Sequence, residues 1–224
     1  MQVGFEADPR PGDDANAAGP IRVMVVDDHP LLREGIAAVL EQQPDMQLVA
    51  EATDGAQAIE RFRETRPDVT LMDLQMPNMH GIDTIAAIRS EFPTARIVVL
   101  TTYHGDVQAL RAFKAGASGY LLKNLLRREL IDTIQAVHRG ARRIPPEIAS
   151  EIAEHADADA LSPREVEVLR CVAQGNANKR VAIQLGIAEE TVKAHMKSIL
   201  AKLGANDRTH AVTIALRRGI IDVE

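Results

Sequence analysis

From residue 21 to about residue 138 the chain alternates two hydrophobic patterns. Short, nearly continuous apolar runs lie at 21–26, 47–51, 68–73, 96–101 and 117–121. Between them, at 30–41, 54–65, 82–91, 105–115 and 125–138, apolar residues recur every three or four positions. The first pattern predicts strands buried on both faces, and the second predicts amphipathic helices. Five such repeats predict an α/β domain, a five-stranded parallel sheet with helices on both sides.

The alternation stops at Gly140, and Pro145-Pro146 leads into a short apolar-polar helix, 147–153. The run His155-Ala156-Asp157-Ala158-Asp159-Ala160 has no apolar face, so 140–160 is expected to be a linker carrying a short helix. Ser162-Pro163-Arg164-Glu165 then signals a helix start: Ser162 caps, Pro163 takes the first helical position and Glu165 closes a capping box. Further helices are predicted at about 178–185, 189–203 and 207–218, each stopped by a glycine. Four helices in residues 161–224 predict a small all-α domain. Residues 1–19 hold Asp, Pro, Gly and Ala without a continuous apolar stretch and are expected to be a disordered extension, leaving 20–139 for the α/β domain.

Charge follows the same division. Residues 1–160 carry 16 Lys+Arg against 25 Asp+Glu, a net of −9; residues 161–224 carry 10 against 7, a net of +3; together they give the chain's −6. An acidic front and a basic tail predict two domains with different partners. Hydrophobic residues make up 46 % of the 224, enough for packed cores. The single cysteine, Cys171, falls in an apolar helical pattern and is expected to be a buried structural thiol. Nothing resembles a secretion signal or a membrane span, so a cytoplasmic location is expected.

Chemistry gathers at the strand ends. The first strand runs into Asp27 and Asp28, and the third ends on Asp73, just before Leu74-Gln75-Met76-Pro77. Open parallel sheets place ligand crevices at the carboxyl ends of their strands. Three carboxylates together are costly unless a divalent cation lies among them. Oxygen ligands with no cysteine nearby point to Mg²⁺, and His29 and His80, which flank the pocket, are not expected to ligate it. A carboxylate beside Mg²⁺ can accept a phosphoryl group as an aspartyl-phosphate. Thr101 at the end of the fourth strand and Lys123 just past the fifth supply the hydroxyl and ammonium that such a group needs.

These residues, with Met76-Pro77, Gly81 and Tyr120, make residues 21–138 resemble a receiver domain of two-component response regulators. The resemblance implies a flavodoxin-like (βα)5 fold and assigns roles. Asp73 accepts the phosphoryl group from the phosphohistidine of a sensor histidine kinase. Asp28, Asp73 and the backbone carbonyl of Gln75 ligate Mg²⁺, and Asp27 acts through a bound water. Lys123 pairs with the phosphorylated carboxylate, Thr101 donates to the phosphoryl oxygens, and Tyr120 moves inward behind it. Asn124 stands where many receivers have proline after the lysine.

Residues 161–219 resemble the LuxR-type DNA-binding domain with its helix-turn-helix, through Leu161-Ser162-Pro163-Arg164-Glu165, Gly175, Leu185-Gly186-Ile187, Glu190-Thr191-Val192-Lys193 and Leu203-Gly204. Val192, Met196, Ile199, Leu200 and Leu203 form an apolar stripe on the third tail helix, leaving Lys193 and Lys197 one turn apart on another face. Lys193 and Lys197 are candidates for base or phosphate contact, Ala194 for a thymine methyl, and Lys179, Arg180 and Thr191 for phosphates. Ala177 and Ala188 stand where related helices often begin with a capping Ser or Thr.

The whole then resembles a NarL/FixJ-type response regulator, not an enzyme beyond self-catalysed phosphoryl acceptance and hydrolysis at Asp73. Phosphorylation is expected to convert a chain that is occluded or monomeric into a homodimer on double-stranded promoter DNA, with the fourth tail helix, near Ala211, Ile214 and Ala215, as a dimer contact. Two alternatives are a Mg²⁺-dependent phosphatase or phosphotransferase working through an aspartyl intermediate, and a regulator that binds DNA without phosphorylation. The first lacks an acid two residues after Asp73, where Gln75 stands; the intact acidic set speaks against the second.

Overall fold

The computed structural model describes residues 19–102, 105–155 and 160–221. The expected N-terminal extension therefore lies outside the described residues, except for Gly19. Five parallel strands, β1 (Ile21–Val26), β2 (Met46–Ala52), β3 (Val69–Asp73), β4 (Ile97–Thr101) and β5 (Gly119–Leu122), form one sheet in the order β2-β1-β3-β4-β5. Helices α1 (Pro30–Glu41), α2 (Gly55–Thr65), α3 (Gly81–Glu91), α4 (Asp106–Ala115) and α5 (Leu126–His138) follow the strands in turn.

The continuous apolar runs have the expected cause, a sheet covered on both faces. Val23, Val25, Leu71, Val98, Leu100 and Leu121 point to one side and pack with Ile36 and Leu40 of α1 and Leu130, Ile134 and Val137 of α5. Met24, Val26, Met72, Val99 and Tyr120 point to the other, against Phe62 of α2, Ile85 and Ile88 of α3, and Ala109 and Ala112 of α4. Chain order reverses between β1 and β3, so the crevice at the carboxyl edge opens there.

The segment expected to be a linker is built differently. Residues 141–143 run beside β5 in the same direction, where the Tyr120 N–H donates to the Arg143 carbonyl (2.9 Å) and the Arg143 N–H to the Ser118 carbonyl (3.1 Å). This covers the exposed edge of β5. Helix α6 (Pro146–Glu154) then packs on the receiver: Ile148 is fully buried in the core beneath α4, and Ile152 packs against it. Burying one isoleucine contributes roughly 2 kcal/mol, enough to fix a nine-residue helix that has little stability alone.

The tail forms α7 (Pro163–Ala173), α8 (Asn178–Leu185), α9 (Glu189–Leu203) and α10 (Arg208–Arg217) around Val168, Leu169, Val181, Val192, Ile199, Ala211 and Ala215. The capping box is present: the Ser162 side chain accepts from the Glu165 N–H, and the Glu165 side chain accepts from the Ser162 N–H. Helices α8 and α9 start at Ala177 and Ala188 without side-chain caps. Two expectations change. Cys171 is half-buried at the margin of this core, because it flanks the inward stripe of α7. Ala211 and Ala215 have no exposed surface; they face the tail's own core and are unavailable as a dimer contact.

Candidate phosphoacceptor site and DNA-reading face

Pairing of β1 with β3 sets Val26 level with Met72, so Asp27 and Asp73 leave the sheet side by side. Pairing of β4 with β5 sets Thr101 level with Leu122, placing Lys123 on the same rim, in a 3₁₀ turn (Lys123–Leu125). The backbone at Asn124 needs no proline here. Lys123 Nζ lies 2.8 Å from Asp73 Oδ2 and 2.8 Å from Asp27 Oδ2. Both carboxylates are buried, at 2 % and 0 % exposure. The Gln75 N–H donates to Asp73 Oδ1 (3.3 Å), the His29 N–H to Asp27 Oδ1 (2.9 Å), and Arg33 Nη1 to the Asp27 carbonyl (2.8 Å).

Two glycines let the loops close on this edge. A Cβ at Gly81 would collide with the Asp73 carbonyl oxygen and come within 2.7 Å of Leu74 Cα, so α3 can start against β3 only without a side chain there. At Gly55 a Cβ would collide with Thr84 Oγ1 and lie 2.8 Å from Met79 Cβ. Asn78 completes the loop in the left-handed region, at φ 66°, which Asn tolerates better than most residues.

The site holds more acid than its lysine can offset. Burial pushes the Asp73 carboxyl above its ordinary value, the negative charge of Asp27 adds to this, and hydrogen bonding to Lys123 opposes it. Burial alone would lower Lys123, but Asp27 and Asp73 outweigh it and hold the ammonium above its ordinary value. Asp27 Oδ2 and Asp28 Oδ1 are buried atoms that each face a nitrogen, Lys123 Nζ at 2.8 Å and His29 Nδ1 at 2.7 Å. Ligand atoms of Asp27, Asp28, His29 and Asp73 lie within 4.8 Å of one another. Surplus negative charge and clustered oxygen donors fit a hard divalent cation. His29, passed over in the sequence, belongs to this cluster: its Nδ1 is 2.7 Å from Asp28 Oδ1, with a side chain 68 % exposed. His80 instead caps α3 by accepting from the Ile82 N–H (3.2 Å).

Behind the pocket, Tyr120 is fully buried and shares a hydrogen bond with Thr101, itself 2 % exposed. Burial raises the phenol far above its ordinary value, so it stays neutral, and the charge of Glu151 on α6 adds to the rise.

In the tail, Lys179, Arg180, Thr191, Lys193, Ala194 and Lys197 are all exposed, on the start of α8 and on α9 as far as its middle. Lys193 Nζ rests 2.7 Å from Glu190 Oε1. Both groups are exposed, so the pair is weak and easily exchanged for a phosphate. Helix α9 is anchored at its other end. Glu165, 4 % exposed, accepts from Ser198 Oγ (2.6 Å) and Lys202 Nζ (2.8 Å). Burial would raise the Glu165 carboxyl, but these donors and Ser162 hold it down to about 2.

A two-faced parallel sheet carrying an acid pocket opposite a lysine, joined to a four-helix unit with a basic reading face, is the build of a DNA-binding response regulator. Residues 23–135 match the response regulator receiver domain, and residues 159–215 match the bacterial regulatory proteins of the luxR family. The chain belongs to this family of transcriptional regulators, whose binding to DNA depends on phosphorylation, and which are not enzymes in the ordinary sense. It is 42 % identical over 90 % of its length to the uncharacterized transcriptional regulatory protein YxjL of Bacillus subtilis, 97 % of which is covered. Among solved structures it is similar to RcsB, seen as two dimers bound to two parallel DNAs (27 % identity, 89 % of this chain and 99 % of that one, TM-score 0.66). RcsB from Salmonella enterica serovar Typhimurium bound to promoter P1flhDC with the phosphomimetic BeF3- is also similar (28 %, 88 % and 98 %, TM-score 0.68). Among the described residues, no helix is long and apolar enough to cross a membrane.

Proposed function

We propose that Asp73 is the phosphoacceptor and that a sensor histidine kinase is the donor. One Asp73 carboxylate oxygen attacks phosphorus, the P–N bond of the phosphohistidine breaks, and the imidazole leaves with its electron pair. Lys123 opposes the rise that burial imposes on the Asp73 carboxyl and is placed to pair with the acyl phosphate. Thr101 lies on the same rim to donate to a phosphoryl oxygen, and Tyr120 is hydrogen-bonded behind it. Asp28, Asp73 and the Gln75 carbonyl would hold Mg²⁺, with Asp27 acting through water; the ion supplies charge neutralisation for the transferring group. The observation that carries this reading is Lys123 Nζ bridging Asp27 and Asp73 at the rim where the oxygens of Asp27, Asp28 and Asp73 cluster within 4.8 Å.

The phosphorylated chain then dimerises and binds promoter DNA in the cytoplasm. Lys193, Ala194 and Lys197 read the major groove, and Lys179, Arg180 and Thr191 fix position on phosphates. The domain division is residues 20–139 as receiver, 140–160 as connecting segment and 161–224 as DNA-binding domain. With acetyl phosphate as donor, Asp73→Asn removes phosphate incorporation and the gain in promoter binding. Undiminished labelling of Asp73→Asn would contradict the assignment.

A further inference from the structure

A cleft lies beside the junction of receiver and tail. The tail is seated there by Arg218, whose Nε and Nη2 lie 3.0 and 2.8 Å from the two carboxylate oxygens of Asp106 at the start of α4. Gly219 follows in the left-handed region, at φ 65°, and rests on Gln108: a Cβ at 219 would lie 2.7 Å from Gln108 Cβ. Gln108 is 3 % exposed, and its Oε1 is buried with no hydrogen-bond partner. A buried acceptor left unpaired is costly, so this oxygen has capacity for a donor.

The cleft, of about 270 Å³, is lined by His80, Ile82 and Asp83 at the start of α3, by Gln108 and Arg111 of α4, and by Arg170 of α7. His80 and Asp83 stand one helical turn apart, as do Gln108 and Arg111, which sets each pair on one face. Asp83, Arg111 and Arg170 are exposed, and among the described residues none of the three makes an ion pair. Two guanidiniums and a carboxylate therefore share one small space without neutralising each other. His80 Nδ1 accepts from the Ile82 N–H (3.2 Å), which leaves the ring proton on Nε2 as a further donor.

This set selects a chemistry. A carboxylate or phosphate alone would suit the arginines but would be repelled by Asp83. A cation alone would meet two guanidiniums. A molecule carrying a carboxylate and an ammonium a short distance apart answers both signs, and its N–H groups supply the donor that Gln108 Oε1 can accept.

We propose that this cleft binds a free apolar α-amino acid, its carboxylate held by Arg111 and Arg170, its ammonium by Asp83 and Gln108 Oε1, and its side chain along Ile82. None of these side chains belongs to the phosphoacceptor set. The site gives the regulator a chemical input separate from phosphoryl transfer, and its test is independent of the assignment of Asp73. Because Arg170 comes from the tail and the other groups from the receiver, the site is complete only in the full chain.

The test is isothermal titration of the full unphosphorylated chain with three probes: L-leucine, 4-methylpentanoate (leucine without its amino group) and inorganic phosphate. L-leucine is expected to bind saturably with a Kd on the order of 0.1 mM, which a ligand of this size can reach. The other two should bind at least ~10-fold more weakly. Arg111→Gln and Arg170→Gln should each weaken L-leucine by ~10-fold, the order of a lost hydrogen bond to a charged group. Asp83→Asn should remove most of the preference for L-leucine over 4-methylpentanoate. All three changes are at exposed positions, and thermal melts by circular dichroism check that each variant is folded. Absence of saturable L-leucine binding would overturn the site. Phosphate binding as tight as that of L-leucine would contradict the amino-acid assignment, and L-leucine binding untouched by Arg170→Gln would place it elsewhere on the chain.

Discussion

Two buried carboxylate–lysine clusters in this chain have opposite balances. In the receiver, Asp27, Asp28 and Asp73 cluster around one ammonium, and burial with the charge of Asp27 pushes the Asp73 carboxyl above its ordinary value. In the tail, the single Glu165 carboxylate is met by Lys202, Ser198 and the Ser162 main chain, and is held at about 2. A satisfied carboxylate fastens helices together. An unsatisfied set keeps excess charge at a sheet edge, which is a strain unless something positive arrives. Structure and function use the same residue types here, and the count of donors separates them.

The largest effect should come from removing the one cation of the receiver pocket. Lys123→Ala, assayed with Mg²⁺ present to offset the two carboxylates it leaves unpaired, is expected to slow phosphoryl transfer from acetyl phosphate by ~100-fold, the order seen when a preorganised electrostatic partner is lost; quench-flow labelling checks this. In the tail the same kind of deletion should act on stability instead. Glu165→Ala leaves Lys202 facing a cavity and should cost about 3 kcal/mol, seen in urea melts followed by tail amides, with labelling of Asp73 unaffected. If Glu165→Ala abolished labelling, or Lys123→Ala left labelling unchanged, the contrast would fail.

The pH responses should oppose one another. Glu165 has a lowered folded value, so its contribution is complete above 4.5 and is lost as pH falls toward about 2, at most about 3 kcal/mol. Asp73 has a raised folded value, so its contribution is greatest below the ordinary 3.8 and is lost as pH rises through the raised value. Asp73→Asn should therefore stabilise the receiver modestly at neutral pH without Mg²⁺, and the gain should shrink in acid. Thermal melts of the two proteins across pH read this directly.

Most of the fold was legible because its causes are local. Strands buried on both faces leave runs such as Ile97-Val98-Val99-Leu100, and the cap Ser162 sits next to the helix it starts. The convergence of Asp27, Asp73, Thr101 and Lys123 was legible because each stands at a strand end, and parallel pairing aligns those ends. What escaped depends on distant partners. Ile148 and Ile152 on a short helix cannot announce that α4 is waiting for them. Alanine at 211 and 215 suits a core and an interface equally. Asp106 and Arg218 are 112 residues apart, and each taken alone is an ordinary helix-end charge.

The most direct measurement locates the phosphoryl group by chemistry. After exposure to acetyl phosphate and Mg²⁺, borohydride reduces an acyl phosphate to the alcohol, and peptide mass spectrometry then identifies the altered residue. The account predicts conversion at Asp73 alone, dependent on Mg²⁺, with Asp27 and Asp28 untouched. Conversion at another carboxylate, or none in the presence of the ion, would contradict it.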